Sequence, residues 1–548
     1  MIINYDEVIS RFPGTPRREQ SDILQKICSS FYNNKKFVII NVPTGVGKSH
    51  IAATLCLSTD TVDPAIESDL LSGDAFKTDK EAGFADMMES TAPHGGIVLT
   101  TTKTLQNQYE DLFIDAASLK GKNNYACDIE PDLTVDVAPC RLSSKQKDKC
   151  LCSRSCTYYN TRGAAMASSF TTLNYSVYLN LPAHLKKREL LICDEATEIE
   201  DTLVSKYTCT INYATLETEN IPHTKLKTCD RHAAYAWLGE LSINIQKIYK
   251  DLSDTIHHKK KKKAPITPTE IKRLTKLNTL VESINEVLSK YNDSEYIVEI
   301  DGQSVTYTPY NVDKLAKELF DRADRVILMS ATIIDYKNFA KILGLKEEEY
   351  DYYEVESPFN PDASPIRCLN KYPLSYNTMQ NMLPKVIDIA VDICEQHKNE
   401  KGVIHTHTFQ INEALQQKVK SKKDRFIFRT QGITNEHIIE LHTNSIKPTV
   451  VVSPSVGFGV SFDDDNGRFQ IIMKAPYLPL SSKRIKMIFE KNPQHYQNKM
   501  LVHLIQMCGR CTRNINDHSI TYILDATAVK AIIREKDKLP KYFLARMV

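Results

Sequence analysis

The sequence predicts an α/β protein in which buried parallel strands alternate with helices, and three observations lead there. An unbroken apolar run over residues 37–42 passes through the glycine loop "PTGVGKS" into an amphipathic helix beginning near Lys48. A second apolar run, "ELLIC", ends on the acidic pair Asp194–Glu195. Farther on, the short strands "GVIHTHT", "TVVVSP" and "RFQIIMKAPY" are separated by longer stretches, the spacing of a second parallel sheet.

At 548 residues the chain has room for roughly three or four domains. Its 42% hydrophobic and 25% charged content are those of an ordinary globular protein, and a net charge of +2 neither favours nor excludes a polyanionic partner. The N-terminal "MIINYDEVISRF" has no basic region leading into an apolar core, so no secretory signal is expected. No run approaches the length of a membrane span. A reducing, cytoplasmic setting is expected, in which clustered thiols bind metal more often than they form disulfides.

The glycine loop needs Gly45 and Gly47 because backbone N–H groups must turn inward around phosphate oxygens, with Thr44 and Val46 between and beside them. Lys48 is placed to reach the β- and γ-phosphates of ATP, and Ser49 to ligate Mg²⁺ at the helix N-terminus. Val42 stands where the general phosphate-loop pattern has its first glycine. A purely structural strand-to-helix turn is the bland alternative, which strand, loop and helix in succession disfavour. Asp194 would hold Mg²⁺ through water, and Glu195 would orient and deprotonate an attacking water.

With these elements in order, the chain resembles the superfamily 2 helicases, specifically the XPD/DinG-like iron–sulfur group. "TPRREQ" resembles the adenine-side motif, with Arg17 and Gln20. "IVLTTTKTLQNQYEDL" resembles the motif after the phosphate loop, with Thr101 and Thr102 near the DNA backbone. "SSFTTLNYSVYL" contributes Asn174 and Tyr175, and "VILMSATI" contributes Ser330, Ala331 and Thr332. "SPSVGFGVSF" sits where motif V belongs and includes Gly459. "QMCGRCTRN" carries Gln506, Arg510 and Arg513 in the pattern of motif VI. The resemblance implies two RecA-like parallel-sheet ATPase domains with an inserted iron–sulfur module and a mostly helical Arch insertion. It implies ATP bound between those domains, with Arg510 and Arg513 directed at the γ-phosphate. It also implies 5′→3′ movement on single-stranded DNA and unwinding of forked or overhang duplexes, by a monomer.

Five of the fourteen cysteines, Cys127, Cys140, Cys150, Cys152 and Cys156, fall inside thirty residues. The flanks "LKGKNNYAC" and "SCTYY" resemble those of the family's [4Fe–4S] module, which assigns Cys127, Cys140, Cys150 and Cys156 as ligands and leaves Cys152 spare. A four-thiolate zinc site is the competitor.

The resemblance places the first ATPase domain at 1–120, 157–200 and 311–345, with the cluster module at 121–156, the Arch-like insertion at 201–310 and the second ATPase domain at 346–548. The lysine run at 259–263 reads as a solvated loop, or else as a DNA-phosphate contact. Residues 59–94 hold nine Asp or Glu against two Lys, which reads as a solvated surface insertion or a site for a protein partner. Thr197 replaces the usual histidine after "DEA", Phe458 and Ser461 replace motif V acids, and Thr157 replaces a proline expected to matter little. An ATP-dependent translocase that unwinds little, and an ATP-regulated binding scaffold, are the alternative readings. The chain's compactness points to a prokaryotic cell or a virus-infected host cell.

Overall fold

The computed structural model describes residues 4–60, 64–72, 81–90, 94–138, 140, 156–262, 264, 266–290, 295–422, 424–455, 462–512 and 517–548. Two compact units emerge. One comprises 1–39, 49–329 and 340–351, the other 40–48, 330–339 and 352–548. Among the described residues no helix is long and apolar enough to cross a membrane.

A seven-stranded sheet runs in the order Tyr350–Glu354, Phe37–Asn41, Ala323–Ser330, Arg188–Asp194, Gly96–Thr100, Phe170–Asn174, Ala117–Leu119. Strands Phe37–Asn41, Gly96–Thr100 and Arg188–Asp194 are buried at every position, as their continuous apolar runs require when helices cover both faces. Gly96 pairs with Leu190 on one side and with Phe170 on the other, and both ladders are parallel. Val42 continues the first strand: its N–H donates to the Ser330 carbonyl at 2.8 Å and its side chain is buried, so the missing glycine has become core.

The second sheet has six strands in the order Ile366–Tyr372, Ile520–Asp525, Phe469–Ile472, Gly402–His405, Val450–Ser453, Phe426–Phe428. Its pairings are parallel, with Gly402 opposite both Val450 and Phe469. Period-two alternation divides its side chains between faces. Ile404, Val450, Val452 and Ile471 join one apolar cluster, while Val403 and Val451 join another.

Residues 201–310 contain the two expected helices, Arg231–Lys261 and Pro268–Ser289. The second starts in a capping box, Thr267 with Glu270, and has Pro268 in its first turn. The insertion also holds an antiparallel sheet, Cys209–Asn212, Ser304–Pro309 and Tyr296–Ile300, that the helical expectation omitted. Its hairpin turns at Asp301–Gly302, where the Asp301 carboxylate accepts the N–H groups of Gln303 and Ser304 at 2.8 and 2.6 Å. Those hydrogen bonds hold the Asp301 carboxyl below the usual carboxylate range. Leu238, Leu241, Ile245, Leu277, Ile284 and Val287 pack with Val305 and Tyr307 into one core.

Two surface readings change. The lysine run is helical rather than a loop as far as Lys261, and Lys259 Nζ pairs with Glu270 Oε1 at 2.6 Å; Lys263 lies outside the described residues. Within 59–94, the helices Pro64–Ser72 and Glu81–Ser90 bury Ile66, Leu70, Phe84 and Met88, so this interval is anchored and not simply solvated. Phe84 meets the His184 ring edge-on at 6.2 Å, and Arg322 pairs with Glu89 at 2.6 Å.

The insertion's core yields a direct test, because Trp237, beside Leu238, is the chain's single tryptophan. Leu238 is fully buried, and Leu238→Ala should cost about 2–5 kcal/mol of the insertion's stability. Urea unfolding followed by tryptophan fluorescence should show the midpoint fall accordingly.

Candidate nucleotide and metal sites

The phosphate loop has the backbone its glycines predict. Gly45 and Gly47 sit at φ +81° and +90°, the left-handed region that side chains resist, and the helix Lys48–Leu57 follows at once. A Cβ on Gly45 would also fall 2.2 Å from Phe359 Cζ, so sterics and conformation both demand glycine there. Val46 is buried, and its N–H reaches the Pro43 carbonyl at 3.4 Å.

The strand Arg188–Asp194 delivers Asp194 at its carboxyl end, only 4% exposed. A buried carboxylate needs donors, and it has them. Asp194 Oδ1 accepts the Glu195 N–H at 2.9 Å, and Oδ2 accepts the Tyr109 hydroxyl at 3.3 Å. Tyr175 donates its hydroxyl to the Asp194 carbonyl at 3.0 Å. Glu195 sits at φ 50°, ψ 50°, a left-handed conformation that costs a non-glycine residue about 1–2 kcal/mol. Such strain persists where the surroundings impose it.

Tyr109 joins the two motifs, since Ser49 is hydrogen-bonded to the same phenol that reaches Asp194. Burial, then the Asp194 charge, push the Tyr109 phenol well above its ordinary range, so it remains a neutral donor. The amphipathic spacing of Gln106, Tyr109 and Phe113 places it on the buried face of the helix Lys103–Leu112. Nothing in the sequence distinguishes it from an ordinary core aromatic.

On the adenine side, Arg17 begins the helix Arg18–Tyr32 and donates its backbone N–H to Gln20 Oε1 at 2.8 Å. Phe12 stacks on His50 at 6.1 Å, and Phe113 meets that ring edge-on at 5.2 Å. Burial, then the Arg17 charge, lower the His50 pKa.

In the second unit, Gln506 Nε2 lies 3.5 Å from Thr332 Oγ1, and Tyr542 donates to the Ala331 carbonyl at 2.8 Å. The Ser330–Thr332 turn and the Gln506–Arg510 helix end are therefore neighbours. Arg510 lies close enough to buried His405 to reinforce burial in lowering the imidazole pKa to about 4. Gly459, Phe458, Ser461 and Arg513 lie outside the described residues. A cleft unmarked in the sequence is lined by Arg429, Gly432, Thr434 and Asn435 at the start of the helix Asn435–Asn444. Arg429 donates to Ser455 Oγ at 2.5 Å, and Asn435 Oδ1 accepts from Ser453 Oγ at 3.1 Å, which ties the cleft to the motif V segment.

A family model described as a helicase C-terminal domain matches residues 390–543. The ATP-dependent DNA helicase CHL1 of Scheffersomyces stipitis is 22% identical over 275 residues, covering 42% of this chain and 33% of that protein. The chain thus spans about a third of the length of that curated relative. A solved XPD helicase is similar with a TM-score of 0.61 at 14% identity, covering 95% of this chain and 98% of that one. The structure of S. tokodaii Xpd4 gives a TM-score of 0.55 at 12% identity, covering 94% and 97%. Residues 390–543 thus carry a helicase C-terminal domain, and the chain shares the fold of the solved XPD structures.

Of the five clustered thiols, Cys127, Cys140 and Cys156 are described; Cys150 and Cys152 lie outside the described residues. Cys127 packs with Leu133 and Ala138, and Cys140 lies against that cluster. Burial raises the Cys156 thiol's pKa, and the charges of neighbouring Asp128 and Cys127 add to it. Cys140 thus lies against the cluster that contains Cys127, and thiols are soft donors suited to iron or zinc. Among the described residues no three His, Cys, Asp or Glu side chains gather tightly enough to hold a metal.

Thr157 matters more than its place in the motif implied. Its N–H and its hydroxyl donate to Asp128 Oδ2 and Oδ1 at 2.7 and 2.8 Å, joining the segment after Cys127 to the helix Thr157–Ala167. The family's proline has no N–H and could make neither bond. Tyr125 against Tyr158, edge-on at 5.4 Å, and Arg162 over Tyr159 at 4.8 Å complete the clasp. Asp128→Ala should remove about 1 kcal/mol of capping from this helix. Amide exchange at Thr157–Asn160 should rise several-fold, with no change in the helix Pro268–Ser289.

Proposed function

We propose that the protein is an ATP-hydrolysing DNA helicase that moves 5′→3′ along single-stranded DNA and opens forked or overhang duplexes. The observation that carries this is the convergence of Ser49 and Asp194 on Tyr109, beside a loop whose two glycines are already left-handed. Those residues fit a nucleotide with Mg²⁺: the loop supplies N–H groups, Ser49 a hydroxyl, and Asp194 a fixed carboxylate. Mg²⁺ would neutralise the charge that develops on the transferred phosphate. Lys48 binds the phosphate oxygens, Glu195 orients and deprotonates the water, and Arg510 with Arg513 stabilises the γ-phosphate's charge. Arg17 and Gln20 hold the base. The Arg429 cleft, with a helix N-terminus at its edge, takes a phosphate of the strand.

Cys127, Cys140, Cys150 and Cys156 would hold a [4Fe–4S] cluster that pins the loop between the two ATPase segments. The clasp of Asp128 and Thr157 supports this by joining the residues next to the first and last thiols. Replacement of the motif V acids by Phe458 and Ser461 favours a second reading, an ATP-regulated binding scaffold with slow turnover, which a DNA-stimulated ATPase assay separates from the first.

Lys48→Ala and Glu195→Gln should each lower DNA-stimulated ATP turnover at least about 100-fold. Glu195→Gln should still bind ATP, and near-normal turnover in either variant would remove the assignment. Anaerobically purified protein should contain about four irons per chain. Cys127→Ser or Cys156→Ser should lose that iron and reduce unwinding far more than basal hydrolysis, whereas stoichiometric zinc would reassign the module.

A further inference from the structure

We propose that Tyr109 is a positioning residue for the divalent cation that accompanies the nucleotide, holding Ser49 and Asp194 ready to receive it. This rests on the ATPase reading above. The ring is 1% exposed and wedged against Phe113 and Phe170, with ring centroids 6.3 Å away in each case. Only its hydroxyl meets the site. There it donates to Asp194 Oδ2 at 3.3 Å and is hydrogen-bonded to Ser49. Asp194 Oδ1 is already committed to the Glu195 N–H at 2.9 Å, so the two bonds together fix the carboxylate plane.

The two contacts of the phenol have a common logic. A serine hydroxyl that offers a lone pair to a cation must turn its proton elsewhere. The Tyr109 oxygen accepts that proton, and the phenol's own proton passes to Asp194, so one neutral group orients both ligands. A core tyrosine that merely satisfies its hydroxyl needs a single partner. One that bridges the phosphate-loop serine and the acidic-motif aspartate has a role specific to whatever binds between them.

The test is equilibrium titration of the full chain with a fluorescent ATP analogue, in EDTA and across a Mg²⁺ series. Tyr109→Phe should bind the analogue in EDTA as the parent does, within about twofold. Its Mg²⁺ concentration for half-maximal enhancement should rise about tenfold, the low end of what outer partners of metal ligands contribute. Tyr109→Met, which keeps a buried apolar side chain without the hydroxyl, should shift in the same way. In an Asp194→Asn background Tyr109→Phe should shift the Mg²⁺ requirement by less than it does in the parent, because part of its effect runs through the Asp194 hydrogen bond. Thermal midpoints taken without nucleotide or metal establish that each variant is folded. An unchanged Mg²⁺ requirement in both folded variants, or full additivity with Asp194→Asn, overturns the positioning role. A parent protein that shows no Mg²⁺-dependent nucleotide binding would instead remove the ATPase reading.

Discussion

A parallel sheet covered on both faces has no solvated side, so a polar group with chemistry to perform must leave from the end of a strand. That constraint organises this chain. The strands Phe37–Asn41 and Arg188–Asp194 are buried throughout, and the glycine loop and the acidic pair each follow a carboxyl end. In the second sheet His405 and Ser453 end their strands in the same way, and both are buried. Asp194 is the severest case. A charge that is 4% exposed is tolerable only with donors on both oxygens, and the Glu195 backbone and Tyr109 provide them.

What the sequence made legible follows from local chemistry. Gly45 and Gly47 are readable because their backbone conformation excludes other residues, and Asp194–Glu195 because acids rarely interrupt a buried run. Partnerships between distant segments were not readable. Tyr109 looks like any aromatic on an amphipathic helix until the fold sets its hydroxyl between Ser49 and Asp194. The Asp128–Thr157 clasp spans twenty-nine residues of separation, and no periodicity encodes it. The hairpin at Asp301–Gly302 is a different matter. Its Asp-Gly turn, set between the β-branched stretches "YIVEI" and "SVTYTP", was present locally and was outweighed by the long helical patterns around it.

Charge runs taught the same lesson from the other side. The lysines after His258 continue a helix because Glu270, the capping residue of the next helix, reaches back to Lys259. That pairing with Lys259, followed by the Thr267 cap bonds, lowers the Glu270 pKa to about 2. The pair lies at the surface and is partly exposed, so solvent screening keeps its contribution to stability small, and its service is to orient the connection between two helices. The acidic interval at 59–94 likewise presents charge outward while Phe84 and Met88 fix it inward. Composition described the exposed face of each segment and was silent on the buried one.

Among the described residues of the thiol-rich loop the apolar core is small, with Leu133, Val135 and Ala138 buried. Two backbone bonds, Cys127 to Leu133 and Val135 to Tyr125, close the loop's first half, and the Asp128–Thr157 pair closes its base. These contacts join the segment after Cys127 to the helix that follows Cys156, which lowers the entropy cost of ordering that end of the loop. The thiols Cys508 and Cys511 have no such setting. Each is wholly enclosed, with its pKa pushed up to about 12 by burial, as in small hydrophobic residues of a packed core. Cys508 and Cys511 are thus packed as core side chains, whereas Cys127 and Cys140 sit beside only a small apolar cluster.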